Sequence, residues 1–144
     1  MTNINGIILS QLEIIKVDLG DIYHAMKRSD NGFSGFGEAY FSTIKTNAVK
    51  AWKKHEQMTL NIVVPVGEIK FVMYDERKNS STYGEYQEVI LSESNYKRLT
   101  IPPNLWLGFQ GVSKSTSLLL NIASIEHSTD ESIKADKSKI SYNW

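Results

Sequence analysis

The chain is a succession of short β-branched and aromatic segments, each cut off from the next by turn-forming residues. Glu38 to Ile44, Lys50 to His55, Thr59 to Val66, Glu68 to Tyr74, Tyr86 to Leu91, Arg98 to Ile101, Leu105 to Phe109 and Ser117 to Ile122 read as strands. Branched and aromatic side chains suit a pleated, half-buried surface. The stretches around Thr46 and Asn47, Asn79 to Gly84, Ser92 to Asn95 and Gln110 to Ser115 supply the breaks. Many short strands with little helix between them predict an all-β, antiparallel sandwich or barrel. Upstream, Ile4 to Val17 mixes alternation with helical spacing and reads as an edge strand or a short helix. Asp21 to Gly37 is a loop anchored by Met26 and Phe33. At the other end, residues 124–144 read as a helical or irregular tail, with Ser128 to Glu131 as an N-cap.

A length of 144 residues fits one domain with a real core. Divided by role, residues 1–37 are an N-terminal strand and loop, 38–123 the barrel and 124–144 the tail. Sixteen basic residues balance sixteen acidic ones, so no global field favours nucleic acid or an anionic membrane. Without cysteine there are no disulfides, thiolate metal sites or cysteine nucleophiles. No apolar run is long enough to cross a membrane and no signal-peptide pattern opens the chain, so a cytoplasmic location is the default expectation.

The most informative stretch is Lys50 to Gly67, KAWKKHEQMTLNIVVPVG, a basic, histidine-bearing segment running into an apolar one. Period-two geometry puts Lys53 and His55 on one face of a strand and Lys54 and Glu56 on the other. Lys50 falls on the wrong parity and reaches the face of Lys53 only through a bulge or bend. The spacing resembles the first motif of the cupins, small jelly-roll barrels, with Lys53 and His55 at the two histidine positions, Leu60 at the glutamate and Gly67 closing it. A second motif is echoed from Pro102, with Asn104, Leu107 and Gly111 at its glycine, histidine and asparagine. Only His55 of the four ligand positions could bind a metal, and one imidazole does not make a site, so no metal and no other cofactor is expected.

Within the cupins the chain resembles the dTDP-4-dehydrorhamnose 3,5-epimerases, which act on nucleotide-linked 4-keto sugars without a metal. GEIKFVMYDER, STYG, VILSESN and LTIPPNLWLGFQ lie in order on that family's G-E-x-x-D-V-x-V-D-x-R, S-P-T-[FY]-G, V-x-L-S-x-x-N and I-P-x-x-x-x-H-G-F, and the likeness spans residues 38 to 123. It implies a double-stranded β-helix, a dTDP-linked sugar as partner, and a homodimer built through the N-terminal segment. By this alignment Lys53 stands at the catalytic histidine of R-G-L-H, Leu120 at the catalytic tyrosine, Leu107 at a further active-site histidine and Leu60 near the substrate-binding lysine. Carried over are Lys50 for the phosphate-binding arginine, Asp75 and Arg77 for the D-x-R pair, and Glu38 and Tyr40 for the polar pair on the preceding strand. The chain is also similar to the dTDP-sugar 3,4-ketoisomerases, whose R-G-x-H-x-H keeps its second histidine here as His55.

Both reactions remove a proton from a carbon beside a ketone, which needs a base there and positive charge or a proton near the carbonyl. His55 is the better base at neutral pH and Lys53 the better electrostatic partner. The same residues admit plainer readings. His55 fits a solvated rim, Lys50, Lys53 and Lys54 a protected sheet edge, and Asp75 with Arg77 a structural pair. Trp52 and Trp106 either stack on a nucleobase or pack the barrel, and Tyr40 and Tyr74 are spare phenols that could replace the missing acid. Leu107, Leu118 and Leu120 predict an apolar interior. The expected function is epimerase-like or ketoisomerase-like proton transfer in deoxysugar or surface-polysaccharide biosynthesis, the alternative being a non-catalytic sugar-nucleotide or glycan-binding cupin.

Overall fold

The computed structural model describes residues 2–144. The strands are β1 (Ile8–Gln11), β2 (Ile14–Ile15), β3 (Ile22–Tyr23), β4 (Glu38–Ile44), β5 (Val49–His55) and β6 (Leu60–Val66). They continue as β7 (Glu68–Asp75), β8 (Tyr86–Ser92), β9 (Lys97–Ile101), β10 (Leu105–Gly111), β11 (Ser117–Ala123) and β12 (Ser132–Lys134), followed by a 3-10 turn at Lys137–Lys139. Two five-stranded sheets, ordered β1-β9-β6-β11-β4 and β12-β5-β10-β7-β8, face one another, and β2 and β3 form a separate small hairpin. This antiparallel arrangement is the expected jelly roll. Among the described residues no helix is long and apolar enough to cross a membrane.

Alternation along the strands builds the interior. Ile69, Phe71 and Met73 of β7 meet Leu60, Ile62 and Val64 of β6, Leu99 and Ile101 of β9, and Leu119 of β11 in one continuous core. Each such side chain stabilises the fold by about 1.5–3 kcal/mol on leaving water. The turn from β6 to β7 depends on Gly67, whose φ is +83° and where a Cβ would stand 2.2 Å from Ser117 Oγ. A side chain at that position would be both strained and blocked.

The intervening residues of β7 and β10 pack on the outer face of the second sheet, where Val72, Trp52 and Trp106 join Ile140 in a second cluster flanked by Tyr74, Tyr86, Tyr142 and Trp144. The C-terminal tail covers this face. It carries a 3-10 turn, and it also contains a strand that the sequence does not announce: β12 pairs with β5 through Ser132–His55, Ile133–Lys54 and Lys134–Lys53. Ala135 and Trp52 exchange backbone hydrogen bonds of 3.0 Å each. Gly108 makes room for the tail, because a Cβ there would lie 2.8 Å from the Trp144 ring and from Ala51 Cβ.

At the N-terminus β1 joins the edge of the first sheet against β9, which resolves the strand-or-helix ambiguity in favour of strand. The loop that follows β3 is tied down chiefly by Arg98. That residue is 1% exposed, and its guanidinium donates to Ala25 O at 2.9 Å, Asn31 O at 3.0 Å and Asp30 Oδ2 at 3.2 Å. The apolar anchors read from sequence, Met26 and Phe33, are only half-buried.

Candidate active site

A cavity of about 510 Å³ opens between the two sheets. One wall comes from β5 and the start of the tail, with Lys50, Lys53, His55 and Lys134, and the facing wall from β4 and β11, with Tyr40, Ser42, Leu119 and Asn121. Its apolar lining includes Leu60, Ile62, Leu107 and Phe109. Lys53 and His55 share a face as their spacing requires. Lys50 reaches the cavity because the β5–β10 register slips, three residues from Lys50 to Lys53 spanning the two from Phe109 to Leu107. A bulge of this kind re-aims a side chain that strict alternation would turn away. Lys54 points outward, its Nζ 4.8 Å from the centre of the Trp106 ring.

His55 is buried and its Nδ1 is hydrogen-bonded to the carboxylate of Glu131, itself buried. Glu131 also accepts from the backbone N–H groups of Gln57 and Met58, at 3.3 Å each. A carboxylate so held fixes Nδ1 as the protonated nitrogen and leaves the Nε2 lone pair for the cavity. Burial lowers the His55 pKa below its ordinary 6.5, against the opposing pull of Glu131 and with help from the positive charge of Lys53. The imidazole is therefore neutral, and basic, at pH 7. Burial alone would raise the Glu131 carboxyl, but the hydrogen bond and charge of His55 and the two backbone donors outweigh it and hold Glu131 ionised.

Glu131 is absent from the sequence-derived site. It lies 76 residues from His55, in a polar stretch that reads locally as a helix cap, and only the pairing of β12 with β5 brings it in.

Among the described residues no carboxylate lines the cavity, whereas Lys50, Lys53 and Lys134 do. Burial and the neighbouring charge of Lys134 lower the Lys53 pKa, against the attraction of Glu131. Lys50 Nζ donates to Thr43 O at 2.8 Å. Such a mouth attracts an anion. Among the described residues no three histidine, aspartate or glutamate side chains come together as a metal site.

One expectation about the lining is corrected. Leu118 and Leu120 do not face the interior; Leu120 pairs with Phe41, which is exposed on the outer face of the first sheet. The β11 residues that reach the cavity are Leu119 and Asn121. Strand parity, which counting from a distant glycine does not track, decides the matter.

The family model described as dTDP-4-dehydrorhamnose 3,5-epimerase matches residues 2–144. The chain belongs to the dTDP-4-dehydrorhamnose 3,5-epimerase family. Within it, the fold is similar to that of a dTDP sugar isomerase from Desulfovibrio desulfuricans, with a TM-score of 0.92 and 39% identity over 94% of this chain and 87% of that one. The probable low-salt glycan biosynthesis epimerase Agl13 of Haloferax volcanii is 28% identical, the match covering 100% of this chain and 96% of the relative. The spore coat polysaccharide biosynthesis protein SpsL of Bacillus subtilis is 25% identical over 98% of this chain and 96% of its own.

Several residues that match motifs of the epimerase family lie outside the cavity. Asp75 is wholly buried, and it accepts hydrogen bonds from Arg77 Nε and Nη2, Ser80 Oγ, Thr82 Oγ1 and the Arg77 N–H. Arg77 in turn donates to Asn5 O at 2.7 Å. The pair closes the β7–β8 connection and pins the N-terminus. Glu38 accepts from the His127 N–H at 2.8 Å, bracing a loop. Trp52 contributes to the cavity wall, but its indole packs behind it on Trp144 and Tyr142 and donates to Lys137 O at 3.2 Å. Trp106 is buried likewise, its indole N–H donating to Glu76.

Proposed function

We propose that this chain is a sugar-nucleotide isomerase of the epimerase type, acting on a nucleotide-linked 4-keto-6-deoxyhexose in deoxysugar or surface-polysaccharide biosynthesis. The observation that carries the reading is the buried His55–Glu131 pair, with one imidazole nitrogen free, in a cavity lined by Lys50, Lys53 and Lys134. His55 Nε2 removes the proton from a carbon flanking the ketone, and the electron pair moves onto the carbonyl oxygen as an enolate. Glu131 stabilises the imidazolium that forms. Lys53, beside His55 on β5, offsets the enolate charge, while Lys50 and Lys134 at the mouth suit a diphosphate. Leu60, Leu107 and Leu119 give a deoxy sugar an apolar surface for its methyl group. The relatives' roles in glycan and spore-coat polysaccharide synthesis support the pathway class, and the dTDP sugar isomerase likeness supports the nucleotide.

The reaction is tested by incubating the protein with a dTDP-4-keto-6-deoxyhexose in heavy water and following it by proton NMR. Deuterium uptake at a ketone-flanking carbon is expected. Uptake with a displaced ketone would instead indicate ketoisomerisation, and binding without uptake would leave only a carbohydrate-binding module. A homodimer forms part of the reading, supported by the exposed aliphatic residues Leu9, Ile15, Val17, Leu19 and Ile22 of the N-terminal segment.

A further inference from the structure

Epimerisation requires more than a base. The carbon must receive its new proton on the face opposite to the one that lost it, so a donor has to stand across the cavity from His55. The alignment offers none, since the β11 position read as the family's tyrosine is a leucine whose side chain faces outward. The facing wall, however, carries one ionisable hydroxyl, that of Tyr40 on β4.

The hydrogen bonds around Tyr40 determine which way its proton points. Asn121, 1% exposed, stands beside it on β11. The Asn121 Oδ1 accepts from the backbone N–H of Asn61 at 3.2 Å. A backbone N–H can only donate, so the amide is oriented with its oxygen toward Asn61 and its NH₂ toward the phenol. Asn121 Nδ2 accordingly donates to Tyr40 Oη at 3.1 Å. The phenol oxygen is thereby an acceptor on the protein side, and its own O–H is left to donate into the cavity. Asn61 is itself immobilised, its side chain accepting from Thr100 Oγ1 at 2.6 Å and donating to Gly32 O at 3.0 Å.

We propose that Tyr40 is the proton donor opposite His55, that Asn121 is the positioning residue that keeps its hydroxyl aimed at the substrate, and that the net outcome is inversion at the exchanged carbon. This rests on the proton-transfer reading above. The protons balance: one passes from carbon to His55 Nε2, one from Tyr40 to the opposite face of the same carbon, and water then reprotonates the phenolate and takes the proton of the imidazolium.

The test separates exchange from inversion in one NMR experiment, with a dTDP-4-keto-6-deoxyhexose in heavy water. Wild type is expected to give inverted, deuterated product. Tyr40→Phe keeps His55 and is expected to go on exchanging the proton with retention, while inversion falls by about 100-fold or more, the usual range for a lost general acid. Asn121→Asp is the sharper variant, because a carboxylate would accept from both Asn61 N–H and Tyr40 O–H and so turn the phenol proton away from the substrate. It should shift the ratio of inversion to exchange in the same direction, and Asn121→Ser, which cannot bridge both partners, should do so less. Persisting exchange shows that each variant is folded. An unchanged ratio in Tyr40→Phe overturns the proposal, as does loss of exchange together with inversion in a Tyr40→Phe protein folded by circular dichroism. If wild type neither exchanges nor inverts, the proton-transfer reading falls and takes this one with it. If wild type inverts but the ratio resists all three changes, only the assignment of Tyr40 and Asn121 falls.

Discussion

A histidine whose Nδ1 is held by a buried carboxylate has one lone pair to offer, and under the proposed mechanism its titration sets the acid limb of the rate. Burial places the His55 pKa below 6.5, so kcat/KM should be flat through neutrality and fall only as pH drops below the His55 value. Glu131 pulls that value up and Lys53 pushes it down. Replacing Glu131 by Gln should therefore move the inflection to lower pH and reduce the plateau, while Lys53→Met should move it to higher pH. A pH–rate series on the three proteins checks both signs. His55→Ala should lower deuterium exchange by about 10²–10⁴-fold, and unchanged turnover would remove His55 from the mechanism. Asp75 is the structural counterpart. Burial would raise its carboxyl, but Arg77, Ser80 and Thr82 together hold it well below the usual 3.8. Its contribution is fully present above the unfolded-state pKa and is lost as pH falls through the folded one, so stability should decline progressively as pH drops below about 3.8. Asp75→Ala, which strands the hydroxyls and guanidinium gathered around it, should cost about 3–5 kcal/mol, read by urea denaturation, without changing the pH–rate inflection.

At the scale of elements, the tail from Glu131 to Trp144 has two attachments. Its strand pairs with β5, and its aromatic residues lie on the outer face of the second sheet. Gly108 is where the second attachment is most sensitive. Gly108→Ala should displace the Trp144 ring, costing about 1–3 kcal/mol by overpacking, with a change in tryptophan fluorescence. Because Ala51 closes on the same point, exchange activity should fall as well. The eight barrel strands are legible in the sequence because alternation and turn residues are local signals, and β4 has the very bounds its aromatic and branched residues imply. Local signals fail where pairing is long-range. The three residues of β12 carry no strand pattern, and Glu131 looks like a helix cap until β12 is laid against β5. The site is legible to the same degree: Lys53 and His55 follow from their spacing, Lys50 needs the bulge, and Asn121 emerges only once the parity of β11 is known.

For the whole molecule, the distribution of exposed apolar surface bears on assembly. β1 lies at an edge of the first sheet, and an unpaired edge is a template for another strand unless it is covered. The neighbouring hairpin exposes Ile15, Val17 and Ile22, with Leu19 fully exposed at its tip. These residues all belong to one short segment, and apolar side chains gathered on a surface suit a contact with a partner. With sixteen charges of each sign and a pI near 6.8, no net repulsion keeps two copies apart at neutral pH. Sedimentation at about 10 μM should therefore give the mass of two chains, in an isologous contact that buries the same segment of both. Val17→Asp combined with Ile22→Asp places charge in that contact and lies outside the cavity, so it should yield a folded monomer with an unchanged circular dichroism spectrum. A monomer mass for the unsubstituted protein, or a dimer that survives both substitutions, would show that this segment does not join the copies. If the monomer also keeps its exchange rate, each barrel forms a complete site on its own; a loss of rate would mean that the N-terminal segment of one copy completes the cavity of the other.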